Sequence, residues 1–171
     1  MRKILFLTCF LAGMLVACDS DDEQITVKYQ LQNEKGEECY NFQEGDNIIF
    51  RLELRNDGDE DVRFHPQSLS EIIGSDAFRI YSENGKDIGT PWDEMFSDEV
   101  MGFGIGAHSS YIVVCPWFDV PALSSRTEGF YSDLFLKKTE KTPLPKGDYH
   151  SIFDIKLNQK KVTCSQSFKI Y

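Results

Sequence analysis

The side chains that could do chemistry do not form a recognisable catalytic motif in this sequence. Ser109 and Ser110 directly follow His108, but they are only sequence neighbours, and no Gly-x-Ser-x-Gly turn exposes a nucleophilic serine. Acidic residues are abundant, but glycoside hydrolysis also needs two carboxyl groups held at a set separation. We therefore predict that the protein is not an enzyme and has no cofactor.

An acidic turn at 56–61, with the sequence Asn-Asp-Gly-Asp-Glu-Asp, offers oxygen atoms that calcium could use as ligands. It lacks the Asp-x-Asp-x-Asp-Gly spacing of a known calcium loop, so a solvated hairpin turn is the favoured interpretation. No Cys-x-x-Cys spacing joins the cysteines to His65, His108 or His150. We therefore predict no metal site.

Aromatic residues gather in two stretches where strand-like alternation stops. They include Trp92, Phe96 and Phe103 in the stretch 90–107, and Trp117 and Phe118 at the start of a second stretch that extends to 143. Long loops on a rigid scaffold often carry binding, so these five rings are candidate ligand-binding residues. The favoured alternative is that the rings fold back over the open ends of the core and bury their apolar area.

The N-terminus has the three parts of a secretory signal, with positive residues at 2 and 3 and an apolar run at 4–17. This run is shorter than the ~20 residues that a membrane-spanning helix needs. The motif Leu-Val-Ala-Cys, which ends at Cys18, resembles the bacterial lipobox, whose cysteine receives diacylglycerol and becomes the new N-terminus. The resemblance implies a signal peptide at 1–17 and a membrane anchor of acyl chains on Cys18. An ordinary secreted protein is the alternative.

The segment 18–23 forms an acidic tether after the leader, with four carboxylates that should stay solvated. It resembles the acidic signal of surface-exposed lipoproteins in Bacteroides-type bacteria, which implies a place at the outer membrane with surface display. A plain tether is the alternative. Loss of the leader leaves 16 basic and 28 acidic residues, a formal charge of −12. Nucleic acid and anionic lipid headgroups are therefore disfavoured partners.

From Ile25 onward, apolar and polar residues alternate with period two, which is typical of strands with one buried face. The clearest case has Ile48, Phe50, Leu52 and Leu54 on one face and charged residues on the other. Similar runs begin near Ile25, Tyr40, Val62, Phe78, Tyr111, Tyr149 and Val162. About eight short strands in one domain at 24–171 predict an all-β antiparallel sandwich, because a sheet with one oily face must bury it.

The sequence Leu-Pro-Lys-Gly-Asp-Tyr at 144–149 opens the penultimate strand. It resembles the tyrosine corner of immunoglobulin-like domains, in which the phenol hydroxyl bonds back to nearby backbone. Three stretches are similar to the bacillar intracellular proteinase inhibitor family: GDNIIFRLELRNDGDEDVRF from Gly45, FRIYSENGKDIG from Phe78 and LPKGDYHSIFDIKL from Leu144. The resemblance implies an immunoglobulin-like sandwich of about seven to nine strands. This chain departs from the family in its leader and its two irregular stretches, so no inhibitory residue is carried over.

Three cysteines, Cys39, Cys115 and Cys164, remain after the leader and the lipidated residue, in a compartment that permits disulfides. Three thiols allow one bridge and one leftover. In such sandwiches the early edge segment and the last strand are often neighbours, so the resemblance implies that any bridge joins Cys39 to Cys164. Cys115 and Cys164 fall on inward faces, where a cysteine also packs as a small hydrophobe.

These features together predict a non-enzymatic, lipid-anchored binding or interaction module with an unidentified protein or glycan ligand. One alternative is a proteinase inhibitor, which needs an exposed loop that fits a protease cleft. The other is a glycan-binding accessory lipoprotein that uses Trp92 or Trp117.

Overall fold

The computed structural model describes residues 24–64, 69–74, 76–91, 103–118 and 141–171. The strands in these ranges are β1 (Ile25–Gln32), β2 (Asn41–Phe42), β3 (Ile49–Asn56), β4 (Val62–Phe64), β5 (Ile80–Ser82), β6 (Asp87–Gly89), β7 (Phe103–Ile105), β8 (Ser110–Pro116), β9 (Gly147–Leu157) and β10 (Lys160–Ile170). One short helix, α1 (Leu69–Ile73), accompanies them. The all-β class is confirmed, and the described part alone has ten strands, more than predicted. The leader and tether at 1–23 lie outside the described residues.

Strands β1, β3 and β8 form an antiparallel three-stranded sheet with β3 at its centre. Phe50 and Leu54 on one face of β3 are fully buried, as the period-two pattern predicts. On the other face, Arg51 Nη1 lies 2.8 Å from Glu53 Oε2. Partial burial raises the pKa of Glu53, but hydrogen bonds from Arg51 and Ser110 outweigh it and hold the pKa below its ordinary value. The ionised carboxylate therefore stabilises this face of the sheet.

The second sheet has five strands in the order β2-β10-β9-β5-β6, in which β2 runs parallel to β10 and the other neighbours are antiparallel. Strands β9 and β10 form a hairpin that pairs from Leu157 opposite Lys160 to Gly147 opposite Ile170. Asn158 in its turn has a φ of +42°, a conformation that asparagine tolerates better than most residues. The side chains of this long hairpin that point away from the core contribute to one polar face of the sheet.

The two sheets share one buried hydrophobic cluster, built around aromatic rings. Tyr29 of β1 packs edge-on against Phe153 of β9, with ring centroids 5.1 Å apart. Phe78 contacts both Phe153 at 5.1 Å and Phe50 of β3 at 5.5 Å. The hydroxyl of Tyr29 donates to Ser151 Oγ at 2.8 Å, so this buried polar group is satisfied across the core. Rings of this size bury enough apolar surface to dominate the stability of a small domain.

Tyr149, near the start of β9, forms the backbone hydrogen bond that the sequence predicts for it. The Tyr149 hydroxyl donates to the backbone carbonyl of Pro145 at 2.8 Å. The Tyr149 ring also stacks on Phe168 of β10, with centroids 5.4 Å apart. The bond therefore fixes the chain at the point where it enters β9.

Three local features differ from the sequence-based expectations. Phe78 is not in a strand but in a turn before β5, with a φ of +60°, although it is fully buried. Strand β7 falls inside the stretch 90–107 that showed no alternation, because a residue triplet between glycines is too short for a period to appear. Helix α1 has five residues, also too few for a helical repeat. Strand β7 pairs with β4 in a separate two-stranded sheet.

In the part of the chain that the structure describes, no helix combines the length and apolar character needed to cross a membrane.

Candidate functional site

The three aspartates of the acidic turn at 56–61 each face a different protein donor. The Asp57 carboxylate accepts a hydrogen bond from the Thr26 hydroxyl at 2.6 Å. Asp59 Oδ1 lies 2.9 Å from His108 Nε2, and Asp61 accepts a backbone N–H from the turn before β8 at 3.0 Å. Among the described residues, no group of three His, Cys, Asp or Glu side chains could hold a metal ion. The turn therefore connects neighbouring loops.

Asn56, which is completely buried, organises this end of the molecule. Its side-chain amide nitrogen donates to the carbonyls of Glu60 at 2.7 Å and of Ile105 and Gly106 at 3.1 Å each. Its side-chain oxygen accepts the N–H of Gly58 at 3.0 Å. One amide thus fixes the acidic turn against the chain that leaves β7.

The cysteines do not form the predicted Cys39–Cys164 bridge, because Cys39, Cys115 and Cys164 are all free thiols. Asn41 lies opposite Lys169 in the parallel pair of β2 and β10. Extending this register places Cys39 about three residues, or ~10 Å, beyond Cys164 along β10. A disulfide needs α-carbons about 4.4–6.8 Å apart. The edge segment and the last strand are neighbours as expected, but at the wrong register for this bond.

Trp117, a predicted ligand-binding aromatic, is buried in the core, with 3 % of its surface exposed. Its indole N–H donates to the carbonyl of Thr142 at 2.9 Å. Its ring packs edge-on against Phe50, with centroids 6.5 Å apart. An indole buried and bonded in this way does not offer a free face to a ligand, so Trp117 has a packing role.

Of the other four loop aromatics, two pack against the protein and two lie outside the described residues. Phe103 is half-buried and packs between Phe64, at 5.2 Å, and Tyr111, at 4.6 Å. Phe118 is also half-buried and packs against the core. Trp92 and Phe96 lie outside the described residues. The rings that can be located thus follow the alternative in which loop aromatics cover the core.

A groove of about 600 Å³ crosses the outer face of the five-stranded sheet. We call it the outer-face groove. Its polar lining includes Asn41, Glu83, Asp148, His150, Ser165, Ser167 and Lys169. These side chains point away from the core because they alternate with buried neighbours along the strands. The sequence placed His150 on the polar side of its strand but did not predict a site there.

Ser167 and His150, which line the groove, form a row at one register level with Tyr81 on the neighbouring strand. Ser167 of β10 lies opposite His150 of β9, and His150 lies opposite Tyr81 of β5. The Tyr81 and His150 rings stack, with centroids 5.3 Å apart and an interplanar angle of 18°. The row therefore combines a hydroxyl group with two stacked aromatic rings.

A second row lies nearer the end of β10, at the register level of Asn41. Lys169 Nζ is 3.3 Å from Asp148 Oδ2, and it also lies over the ring of Tyr171 at 5.4 Å. Tyr171 is 50 % exposed, and its hydroxyl donates to Asn41 Oδ1 at 3.3 Å. The charge of Lys169 is thus partly balanced, and an exposed aromatic ring borders the groove.

Several hydrogen-bonding groups in the groove have no side-chain partner among the described residues. They are the hydroxyls of Ser165 and Ser167, the ring nitrogens of His150 and the carboxylate of Glu83. Ser167 and His150 are neighbours, but no hydrogen bond joins them, and the nearby Asp148 carboxylate pairs with Lys169 instead. Neither serine hydroxyl is therefore bonded to a base among the described residues, as an activated nucleophile would be.

Comparisons with protein-family models, with curated proteins and with solved structures found no match to this chain.

Proposed function

We propose that this chain is a non-enzymatic, lipid-anchored binding module of the outer membrane, which presents the outer-face groove to a ligand. The observation that carries the proposal is the set of hydrogen-bonding side chains in the groove that have no partner among the described residues. Unbonded polar groups that converge on one concavity are a typical feature of a ligand site.

The scaffold proposed for this face is an immunoglobulin-like β-sandwich. Its two larger sheets contribute to one core, which supports a sandwich of two layers. The hydrogen bond from Tyr149 to Pro145 supports the immunoglobulin-like assignment. A sandwich buries one face of each sheet and leaves the other exposed. A groove on the exposed face would therefore leave the packing of the core unchanged.

A lipid on Cys18 would place the groove away from the membrane. Five residues lie between Cys18 and Gln24, so the six residue steps from one to the other span at most ~22 Å. The groove lies toward the opposite end of β1, because Cys39, which precedes the groove strand β2, donates its N–H to the carbonyl of Leu31 at 3.0 Å. About six strand residues, or ~20 Å, separate that carbonyl from the tethered end of β1. The orientation would therefore keep the groove open to solvent.

A thermal-shift screen tests the binding role. The full chain, purified in detergent, is heated with neutral saccharides, anionic saccharides, polyamines and basic peptides as separate arms. We expect one class to raise the Tm, because a ligand that binds only the folded state stabilises it. The variant Ser167→Trp, which fills the groove with an indole, should lose the shift.

The matched control is Lys156→Ala, since Lys156 is exposed on the outer face of β9 and lies six residues, or ~20 Å, from His150. This variant should keep the shift. A screen in which no class raises the Tm would count against the proposal. So would a shift that persists in Ser167→Trp.

A further inference from the structure

We infer that the ligand of the outer-face groove is a neutral oligosaccharide. This inference rests on the proposed binding function and adds the chemical class of the ligand. Three properties of the groove lead to it: its hydrogen-bonding groups, its aromatic rings and its charge.

The hydrogen-bonding groups suit a ligand that carries many hydroxyls. Ser165 and Ser167 lie two residues apart on β10, which separates their hydroxyls by ~7 Å along the strand. His150 adds the two ring nitrogens of its imidazole on the adjacent strand, about 5 Å away. Serine hydroxyls also donate and accept, so the groove can bond to hydroxyl groups in either direction.

Aromatic rings border these polar groups on two sides. Tyr81 stacks on His150 at the β5 side, and Tyr171 stands half-exposed near Asn41 at the β2 side. Tyrosine has an apolar body and a polar tip. A sugar ring has the matching character, since its C–H face is apolar and its edge carries hydroxyls. Rings on both sides of a polar floor therefore match a chain of sugar rings better than a single small ion.

The charge of the groove disfavours anionic ligands. Among the described lining residues Lys169 is the one cation, and Asp148 pairs with it. The Glu83 carboxylate has no such partner in the described part of the chain, which leaves the groove slightly acidic. Sulfated or carboxylated saccharides and phosphate groups would meet this negative potential. The volume of about 600 Å³ lies within the range of 300–1,000 Å³ typical of ligand sites.

Isothermal titration of the full chain in detergent tests the inference. The probes are neutral tetrasaccharides of glucose, mannose, galactose and xylose, sulfated forms of the same sugars, and spermine. We expect at least one neutral tetrasaccharide to bind and its sulfated form to bind more weakly. His150→Ala should weaken binding about tenfold, the upper range for losing one hydrogen-bonding side chain. Ser167→Trp should abolish binding, and Lys156→Ala should leave it unchanged.

A second variant keeps the test independent of folding effects. Glu83→Gln lies in an exposed turn and removes the unpaired carboxylate. It should therefore reduce the ratio between the affinity for the neutral sugar and the affinity for its sulfated form. Circular dichroism on each variant confirms that the fold is retained.

The outcomes separate the inference from the proposed function. No binding of any neutral tetrasaccharide, or binding that Ser167→Trp does not affect, would overturn the saccharide inference. If spermine or a basic peptide binds and Ser167→Trp abolishes that binding, the saccharide inference fails while the binding module stands. If no class of ligand binds, both fail.

Discussion

Replacing Asn56 should destabilise the protein far more than replacing an asparagine on its surface. Asn56→Ala removes the donors to three backbone carbonyls and the acceptor of one N–H, all held by this single buried amide. The carbonyl of Ile105 is in a buried contact, so losing its partner costs ~1–3 kcal/mol. The other three contacts are part-buried and contribute roughly 0.5–1 kcal/mol each. Together these contributions predict a loss of about 2.5–6 kcal/mol, a large share of the ~5–15 kcal/mol that stabilises a typical domain.

The variant Asn56→Asp has nearly the same shape, but it replaces the amide nitrogen, which donates hydrogen bonds, with an oxygen, which accepts them. An ionised carboxylate would keep the bond to the Gly58 N–H and turn its other oxygen toward three carbonyl oxygens. This environment disfavours the charged form, so the pKa of the introduced carboxyl should lie above its ordinary value. The protonated form can donate one bond. The destabilisation should therefore be large at pH 8 and smaller at pH 4, where the folded state binds the extra proton.

Urea denaturation followed by circular dichroism measures these effects on the wild type and both variants at pH 8 and pH 4. Asn33→Ala is the matched control, because the Asn33 side chain accepts two backbone N–H groups in an exposed turn, at 2.9 and 3.0 Å. It should cost about 1 kcal/mol or less, since water replaces exposed hydrogen bonds. The reasoning is refuted if Asn56→Ala costs no more than this control, or if Asn56→Asp is equally destabilised at both pH values.

Three further predictions concern stability and reactivity. Tyr149→Phe removes one part-buried hydrogen bond and should cost about 0.5–1.5 kcal/mol in urea denaturation, so an unchanged midpoint would contradict the corner's role. Glu53 has a lowered pKa in the folded state, so its stabilisation exists above its ordinary pKa and is lost as the pH falls through the lowered value. Glu53→Gln should therefore flatten the fall in Tm as the pH drops below 4.5, the ordinary pKa of the group, whereas a curve parallel to that of the wild type would disprove this. Iodoacetamide should alkylate Cys39 in the folded protein but Cys115 and Cys164 only after unfolding, because burial raises the pKa of both thiols. Peptide mass spectrometry identifies the modified residues, and early alkylation of the buried pair would contradict the structure.

The sequence predicts the long strands of this protein well, because a strand of seven or more residues shows several periods of alternation. In β3 and β9, buried and less buried positions alternate along nearly the whole length. Elements of three to five residues, such as β7 and α1, are too short to show a period, and tertiary contacts decide their conformation. Phe78 is buried as predicted, but it lies in a turn and not in a strand, because a turn can also place its ring in the core.

The candidate site was harder to predict than the fold. Residues such as Ser167 and His150 look like an ordinary solvent face in the sequence, and only the pairing of β9 with β10 brings them together. The loop aromatics gave a stronger sequence signal, yet Trp117 lies in the core. The Cys39–Cys164 pairing failed because sequence reasoning indicates which strands are neighbours but not their register.

One mass spectrum tests most directly the central claim that a lipid tether displays the outer-face groove. The chain with Ser167→Cys and Cys39→Ser is produced in a bacterium with an outer membrane, and intact cells are treated with a membrane-impermeant maleimide. We predict that the recovered protein begins at Cys18 with diacylglycerol attached and carries maleimide at position 167. A protein that keeps its leader with an unmodified Cys18, or that is labelled at position 167 only after lysis, would contradict the claim.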